Sequence, residues 1–163
     1  MKRVVLIGLP GSGKTTVGRT LAERTGRLFL DTDALIVSAA GEDIPTIFAS
    51  RGEAVFRALE RNAVRTACAV DGAVISTGGG AVLSPDNVAL LRAGGTVFFL
   101  DRSVESILRT ADLTGRPLLR GGAECLRTLA AQRDALYRAA AHSIVPDGGI
   151  EESVSYILAH IAE

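Results

Sequence analysis

The sequence has little of what marks membrane, secreted or nucleic-acid-binding proteins. Its 163 residues carry 18 basic and 18 acidic side chains, interspersed without a long block of one sign. This balance gives no reason to expect binding to nucleic acid or to an anionic membrane. No hydrophobic run approaches the length of a membrane span, and no signal peptide precedes the first predicted strand. We therefore expect a cytoplasmic protein with no nucleic-acid or membrane partner.

Cysteine and lysine are both rare. Cys68 and Cys125 lie far apart without a Cys-x-x-Cys spacing, which is more typical of reduced core or helix residues than of a disulfide or metal site. Lys2 and Lys14 are the only lysines, so arginine supplies the remaining positive charge. The length suits one domain over residues 1–163, large enough for a substantial core.

Residues 8–15 read GLPGSGKT and match the phosphate-binding pattern G-x-x-x-x-G-K-[ST], here called the P-loop, at every fixed position. Residues 4–7 before it are typical of a buried strand, and residues 16–24 after it are typical of a helix. Backbone N–H groups of such a loop surround phosphate oxygens at a helix N-terminus. We expect Lys14 to reach the β- and γ-phosphates and the Thr15 hydroxyl to bind Mg²⁺. The predicted phosphate ligands are Gly11, Ser12, Gly13, Lys14, Thr15 and Thr16. A glycine turn without a ligand is the alternative.

Short hydrophobic runs alternate with helical patterns along the chain. The predicted strands cover residues 4–7, 28–31, 73–76, 96–100 and 142–145. The predicted helices cover residues 16–24, 33–70 with breaks at 41–45 and near 52, 84–94, a segment from 103, 124–141 and 151–161. Three glycines, a proline and two arginines in residues 111–122 indicate a mobile loop. The alternation predicts an α/β protein whose parallel sheet has helices on both faces.

Two predicted strands end in a carboxylate that is a candidate for supporting a metal ion. Asp101 follows a hydrophobic run in the usual pattern for Mg²⁺, whereas Asp31 is followed by Asp33. We favour Asp31, because two carboxylates at one strand end can serve two tasks. One supports the metal, and the other takes a proton or binds a hydroxyl. Asp101 is then interpreted as an acid near the N-cap of the helix that begins at Ser103.

Glycines and arginines provide further candidates. Gly78, Gly79 and Gly80 follow a predicted strand directly, and they place backbone N–H groups at the sheet edge where α/β proteins bind ligands. An ordinary tight turn is the alternative for them. Arg116 lies beside Pro117 in the predicted loop and suits a lid over the transferring phosphate, with a solvated basic loop as the alternative.

Taken together, these segments resemble the bacterial shikimate kinase family over essentially the whole chain and in that family's order. The matching segments are residues 8–15, 30–33, 44–48, 52–60, 76–82, 116–119, and Arg133 before Leu136 and Tyr137. No segment beyond the P-loop is specific alone, but the ordered set is highly specific. The resemblance implies a three-layer P-loop kinase fold with a five-stranded parallel sheet in the order 2-3-1-4-5. It also implies a substrate-binding helical segment at about 33–61 and a lid at about 111–122.

The resemblance further implies transfer of the γ-phosphoryl group of ATP to the 3-hydroxyl of shikimate with Mg²⁺, and we expect a monomer. Lys14, Asp33 and Arg116 are the implied catalytic residues. The implied shikimate ligands are Asp33, Arg57, Gly78, Gly79, Gly80 and Arg133. The resemblance adds two arginines to the nucleotide ligands. Arg109 is implied to lie against adenine, and Arg116 is implied as the lid arginine. Thr15 is the implied direct ligand of Mg²⁺, and Asp31 and Ser76 are implied to bind the metal through water. Taken alone, Arg57 and Arg133 would be solvated helix charges, but an arginine pair suits the shikimate carboxylate.

Two positions depart from the family pattern. Val37 stands where members usually carry glutamate, which bears on shikimate affinity, and residues 146–149 lack an arginine that many members place near adenine. The alternatives are a kinase of another polyol acid such as gluconate, a nucleotide-dependent switch, and a nucleotide-binding paralogue without shikimate activity. A switch needs an Asn-Lys-x-Asp motif, and neither Asn62 nor Asn87 lies in one. The complete P-loop and the aspartate pair argue against an inactive paralogue.

Overall fold

The structure is a computed structural model that describes residues 1–114 and 122–161. Within these residues the strands form one parallel sheet in the order β2-β3-β1-β4-β5. The strands are β1 (Arg3–Ile7), β2 (Phe29–Asp31), β3 (Val74–Ser76), β4 (Gly95–Leu100) and β5 (Ser143–Val145). The helices are α1 (Lys14–Thr25), α2 (Thr32–Ala40), α3 (Ile44–Arg51), α4 (Glu53–Cys68), α5 (Pro85–Ala93), α6 (Val104–Thr114), α7 (Gly122–Ala140) and α8 (Ile150–Ile161). The predicted α/β class and strand order are confirmed.

The central strand β1 explains why the molecule has three layers. All five of its residues are buried. Since successive side chains of a strand point to opposite faces, Val4 and Leu6 pack with residues of α1 and α8, while Val5 and Ile7 pack with residues of α4, α5 and α7. Both faces of the parallel sheet are therefore covered by helices, as the near-continuous hydrophobic strands predict.

Local capping divides the predicted helical stretch 33–70 into α2, α3 and α4. Gly41 ends α2 in a left-handed conformation with φ of 71°, which glycine adopts at little cost. Asp43 then begins α3, because its side chain accepts a hydrogen bond from the backbone N–H of Thr46 at 2.9 Å. Gly52, at φ of 85°, separates α3 from α4. The two predicted breaks therefore correspond to real helix ends.

The predicted loop at residues 111–122 is wrong at both of its ends. Helix α6 continues to Thr114, and α7 begins at Gly122. The helical pattern of residues 104–110 extends one further turn. Gly122 has φ of 65°, a left-handed conformation that glycine adopts at little cost. Residues 115–121, with Arg116, lie outside the described residues, so the lid remains a prediction.

The remaining expectations concern cysteine and hydropathy. Cys68 ends α4 and Cys125 lies near the start of α7, and both are free, half-buried thiols, so their prediction as helix residues is confirmed. Among residues 1–114 and 122–161, no helix is both long enough and apolar enough to cross a bilayer.

His142 completes the join between β4 and β5. Its backbone N–H donates to the carbonyl of Val97 at 2.8 Å, and its ring Nδ1 accepts a hydrogen bond from the Val97 backbone N–H at 2.9 Å. Burial, followed by the charges of Arg92 and Lys2, lowers the pKa of His142 below its ordinary value. The neutral ring is therefore the form that the folded protein favours.

We predict that His142 makes the protein less stable in mild acid. Because the folded-state pKa is depressed, the contribution of the neutral ring is present above about pH 6.5 and is lost as pH falls through the folded-state pKa. The loss should stay below about 1 kcal/mol, because the ring is partly exposed to water. Urea unfolding from pH 8 to pH 5 should show this loss in the wild type and in the control His160→Gln. The loss should be absent from His142→Gln. Parallel pH curves for all three proteins would contradict the assignment.

Candidate active site

The P-loop forms a cavity at the carboxyl edge of the sheet. It follows β1 and leads into α1, and Gly13 occupies the N-cap with φ of 94°, which a residue with a Cβ adopts only with strain. The cavity measures about 240 Å³. It is lined by Pro10, Gly11, Gly13, Lys14, Thr15, Thr16, Asp31, Asp33, Ser76, Thr77, Gly78 and Gly79. Residues that follow several strands therefore contribute to one site. Such sites are expected at the carboxyl edge of a parallel sheet, where the connections after two neighbouring strands run in opposite directions.

Lys14 lies inside the curve of the P-loop. Its Nζ donates hydrogen bonds to the carbonyl oxygens of Gly8 and Leu9, both at 2.7 Å, and to Ser12 Oγ at 3.4 Å. Burial lowers the pKa of Lys14 to about 8, against the opposing charges of Asp33 and Asp31. The Lys14 amine therefore lies where the phosphate oxygens of a ligand would surround it. The negative charge of a bound phosphate would favour the protonated form of this amine.

Thr15, Asp31 and Ser76 bring oxygen ligands together beside the P-loop. Thr15 Oγ1 donates to Asp31 Oδ2 at 3.2 Å, and the strand register pairs Asp31 with Ser76. All three line the cavity, and such oxygens are the ligands that Mg²⁺ prefers. Among the described residues no cluster of three or more acidic, histidine or cysteine side chains could hold a metal.

Asp101, the other candidate for the metal, has a different environment. Its Oδ2 accepts a hydrogen bond from Arg138 Nη2 at 2.8 Å, and it is absent from the lining of the P-loop cavity. Asp101 lies two residues before the N-cap of α6, in agreement with its interpretation as an acid near that cap. The cap itself is Ser103, whose Oγ accepts a hydrogen bond from the backbone N–H of Ser106 at 3.1 Å. The Ser103 hydroxyl thus caps the start of α6, and the Asp101 carboxylate forms an ion pair with Arg138.

Asp33 connects the P-loop cavity with a second cavity of about 730 Å³ and lines both. It lies in the first turn of α2, directly over Gly78, where an added Cβ would be 2.6 Å from Asp33 Oδ1. Burial and the charge of Asp31 raise the pKa of Asp33, while Lys14 and Arg57 act in the opposite direction. The carboxylate therefore has an increased proton affinity at the junction of the two cavities.

The second cavity has a polar side and an apolar side. Its polar lining includes Asp33, Arg57, Glu60, Gly78, Gly79, Gly80 and Arg133. Its apolar lining includes Pro10, Ile44, Pro45, Phe48, Ala49, Phe56 and Leu129. The two guanidinium groups converge on the triple glycine, because a Cβ at Gly80 would collide with Arg57 and one at Gly79 would lie 3.2 Å from Arg133 Nη1. Gly79 and Gly80 therefore make room for the two arginines, and Gly78 makes room for Asp33, which a tight turn alone would not require.

The backbone of the triple glycine is partly engaged. The N–H of Gly78 donates to Thr32 Oγ1 at 3.1 Å, and both groups are buried. Gly78 therefore lines the cavity with that N–H already bonded inside the protein. Gly79 and Gly80 complete the same wall beside the two guanidinium groups.

Glu60 is a site residue that sequence reasoning missed. Arg57 Nη1 donates to Glu60 Oε1 at 2.9 Å, and Glu60 is only 2% exposed. Burial raises the pKa of Glu60, and the hydrogen bond and charge of Arg57 lower it. Glu53 also lies 3.6 Å from Arg57 Nε. The i,i+4 spacing of Glu53 and Arg57 and the i,i+3 spacing of Arg57 and Glu60 on α4 could have predicted these ion pairs from the sequence. Glu53 and Glu60 thus orient Arg57, although Val37 stands where family members usually carry glutamate.

Tyr137 is a second residue that the sequence prediction overlooked. Its hydroxyl donates to the carbonyl of Gly79 at 2.7 Å, and its ring stacks on Phe99 at 5.1 Å between centroids. Tyr137 lies one helical turn after Arg133 on α7, so it ties the helix that carries this arginine to the triple glycine. Tyr137 belongs to a segment that matches the family pattern, but no local sequence signal predicts its hydrogen bond to Gly79.

The structure does not place every predicted site residue in these cavities. Arg109 lies on α6, outside both cavity linings, and its Nη2 donates to Ser106 Oγ at 3.2 Å. Ser12 is buried within the P-loop, and Thr16 lines the first cavity at the start of α1. Arg116 lies outside the described residues.

Comparison with known proteins adds independent information. A family model described as shikimate kinase matches residues 10–162. A shikimate kinase of Symbiobacterium thermophilum is 49% identical over 144 residues, which cover 85% of this chain and 83% of the relative. One of Geobacter metallireducens is 42% identical over 165 residues, covering 99% of this chain and 92% of the relative.

Solved structures agree with these relatives. The structure of a shikimate kinase from Acinetobacter baumannii in complex with shikimate has a TM-score of 0.90 at 37% identity, and the match covers 99% of this chain and 93% of that one. A gluconokinase from Sinorhizobium meliloti has a TM-score of 0.65 at 20% identity, with 99% and 91% covered. The second likeness shows only that the fold is shared.

We predict that binding of a nucleotide draws a proton onto Lys14. With its pKa lowered to about 8, the amine is about half protonated at pH 8, and phosphate charge should complete the protonation. Calorimetric titration with ADP, in buffers of different ionisation heat, should show uptake of about half a proton at pH 8 and much less at pH 7. The control Lys2→Arg, which changes the other lysine, should behave like the wild type. Uptake that does not vary with pH would contradict the assignment to Lys14.

Proposed function

The chain belongs to the shikimate kinase family, and from this premise we propose that it transfers the γ-phosphoryl group of ATP to the 3-hydroxyl of shikimate. The product is shikimate 3-phosphate, an intermediate of aromatic amino-acid biosynthesis. The observation that carries the proposal is the position of Asp33, which lines both the P-loop cavity and the cavity that contains Arg57 and Arg133. A carboxylate at that junction can meet an acceptor hydroxyl on one side and a phosphoryl group on the other.

The P-loop cavity supplies the nucleotide side of the reaction. Its backbone N–H groups and the charge of Lys14 bind the β- and γ-phosphates, as the motif and the buried amine support. Thr15 would hold Mg²⁺ directly, and Asp31 and Ser76 would hold it through water. When bound, Mg²⁺ neutralises phosphate charge that develops during transfer. The Thr15–Asp31 hydrogen bond supports this arrangement, because it keeps both oxygens on one side of the loop.

The second cavity supplies the shikimate side. Shikimate carries one carboxylate and three hydroxyl groups, and planar guanidinium groups bind carboxylates through two parallel hydrogen bonds. Arg57 and Arg133 converge at the triple glycine and are the assigned carboxylate ligands. Asp33 is the assigned hydroxyl ligand. The apolar side of the cavity suits the carbon ring.

Asp33 is also the assigned proton acceptor. Its raised pKa gives it more proton affinity than an exposed aspartate, while proximity to Lys14 and Arg57 keeps the charged form accessible. Lys14 stabilises charge on the transferring group, and Arg116 is assigned the same role from the lid. Catalysis in this scheme rests on positioning and charge rather than on a covalent intermediate. We also propose that the chain acts as a monomer.

The direct test is a coupled assay of ADP release with shikimate, quinate or gluconate as acceptor. Shikimate should exceed the other acceptors by about a hundredfold in kcat/KM. All three acids offer a carboxylate to Arg57 and Arg133, so the discrimination should come from hydroxyl groups that a site fitted to shikimate leaves unpaired in the other acceptors. Lys14→Met should lose turnover while its melting temperature stays near that of the wild type. Preference for gluconate, or no phosphoryl transfer to any of the three, would overturn the proposal.

We predict opposite kinetic signatures for Asp33 and Arg57. Asp33→Asn should lower kcat by about 10²–10⁴-fold, because asparagine keeps the shape but cannot accept the proton. Arg57→Ala should chiefly raise the KM for shikimate by about tenfold or more, because the substrate carboxylate loses its partner. The KM for ATP should stay near the wild-type value in both. Both effects are read from initial rates over a grid of the two substrate concentrations.

Two further variants separate binding from folding in this experiment. Arg57→Ala leaves Glu60 buried without its cation, which is itself destabilising. The double variant Arg57→Ala/Glu60→Gln removes that charge and should keep the raised KM. Arg65→Ala, an exposed arginine on the same helix α4, is the matched control and should behave like the wild type. A collapse of ATP affinity in the Arg57 variants would place this arginine on the nucleotide side instead.

A further inference from the structure

The two arginines of the second cavity are held in different ways. Arg57 forms ion pairs with Glu53 and Glu60 of its own helix. Arg133, which is half-buried on α7, forms no ion pair with any residue in the described ranges 1–114 and 122–161. A group other than a carboxylate must therefore orient the guanidinium group of Arg133 before a ligand arrives.

The polar group beside Arg133 on α7 is the hydroxyl of Tyr137. The two residues are four positions apart, so their side chains lie on one face of the helix. The hydroxyl donates to the carbonyl of Gly79 at 2.7 Å. Burial raises the pKa of Tyr137, while the charge of Arg133 and a hydrogen bond with its guanidinium group oppose this rise. One hydroxyl group therefore meets both Gly79 and Arg133.

The hydrogen-bonding capacity of these groups determines how they are arranged. A phenol has one proton to donate and lone pairs that accept, whereas a guanidinium group only donates. Because the Tyr137 proton is engaged by the Gly79 carbonyl, the lone pairs of the hydroxyl are left for Arg133. The hydrogen bonds can run in only one direction, from Arg133 to Tyr137 to Gly79. Each of them polarises and strengthens the next.

Both anchors of this chain of hydrogen bonds are confined by packing. The Tyr137 side chain is almost completely buried, and its ring stacks on Phe99 at 5.1 Å between centroids. Gly79 lies between the P-loop and the guanidinium group, because an added Cβ would be 2.9 Å from Pro10 Cδ and 3.2 Å from Arg133 Nη1. The hydroxyl therefore gives Arg133 a fixed reference point on the wall of the cavity.

A neutral partner has a consequence for the charge of Arg133. A carboxylate beside this guanidinium group would compete with the carboxylate of a ligand for the same donors. A phenol carries no charge at neutral pH, so it orients the guanidinium group and leaves its positive charge for the ligand. Ordering the long side chain in advance also reduces the entropy that binding would otherwise cost.

We propose that Tyr137 is a positioning residue for the acceptor substrate, and that it acts by holding the guanidinium group of Arg133 at the triple glycine. Its hydroxyl does for Arg133 what the two glutamates do for Arg57, but without neutralising the charge. The proposal rests on the proposed function for the identity of the acceptor, and it adds a residue that sets the affinity for that acceptor without contacting it.

The test removes only the hydroxyl, by Tyr137→Phe. The KM for shikimate should rise about fivefold, as expected when a hydrogen bond to a charged group is lost. The shikimate Kd from calorimetry should rise in parallel, while kcat and the KM for ATP should stay within about twofold of the wild type. Tyr156→Phe is the matched control, because Tyr156 is the only other tyrosine and its hydroxyl is bonded to Ser143. This control should behave like the wild type.

A double-mutant cycle separates positioning from a loss of stability. In the Arg133→Ala background, Tyr137→Phe should change the KM for shikimate less than about twofold, because the hydroxyl no longer has a guanidinium group to hold. A purely structural role of the bond to Gly79 would persist in both backgrounds. If Tyr137→Phe does not fold, as judged by its melting curve, Tyr137→Met removes the same hydroxyl with a flexible side chain and carries the same comparisons.

Several outcomes would overturn the proposal. A lower melting temperature with an unchanged KM for shikimate would mean that the hydroxyl serves the fold alone. An equal rise in KM with and without Arg133 would mean that the hydroxyl does not act through this arginine. A wild type that neither binds nor phosphorylates shikimate would overturn both this proposal and the proposed function. A wild type that phosphorylates another acid instead would refute the proposed function alone, and the same cycle with that acid would still decide the role of Tyr137.

Discussion

The Asp31 carboxylate joins the two halves of the site through its two oxygens. Oδ1 accepts hydrogen bonds from the backbone N–H groups of Asp33 and Ala34 and so begins α2, while Oδ2 accepts the hydrogen bond from Thr15 of α1. One side chain therefore orients the helix that presents Asp33 and keeps that helix beside the P-loop. The capping bond from the backbone N–H of Asp33 also fixes this residue in the first turn of α2, from which its side chain lines both cavities.

Charge balance constrains the acceptor side in a similar way. Glu60 is buried and remains acceptable there because Arg57 donates to it, and an unpaired buried charge would cost several kcal/mol. The pair holds Arg57 in one orientation before any ligand arrives, which reduces the entropy lost on binding. The gluconokinase that shares this fold at 20% identity illustrates the wider point that a fold does not choose a substrate. We propose that in this protein the choice lies with side chains of α2, α4 and α7 around the triple glycine.

Much of the architecture could be predicted because its causes are local. The P-loop motif sits within eight residues, and hydrophobic runs with glycine, proline and capping signals located every strand and most helix ends to within one or two residues. Gly41 and Asp43 ended and began helices as their conformational preferences require. The strand order came from the family resemblance of the ordered segments and not from the periodicity, since no local pattern states which strands become neighbours.

The amino-acid sequence by itself determined the phosphate-binding loop, the α/β class and the paired carboxylates, because each depends on residues a few positions apart. Only the tertiary structure decided that Tyr137 bonds to Gly79 and that Asp147 bonds to Ser106, across 58 and 41 positions of chain. It also assigned Asp101 to an ion pair with Arg138 instead of to the metal or to a helix cap. The physical reason is the same in each case. A polar side chain has several possible partners, and the one it meets depends on sheet order and on the rotation of packed helices, which no short segment contains.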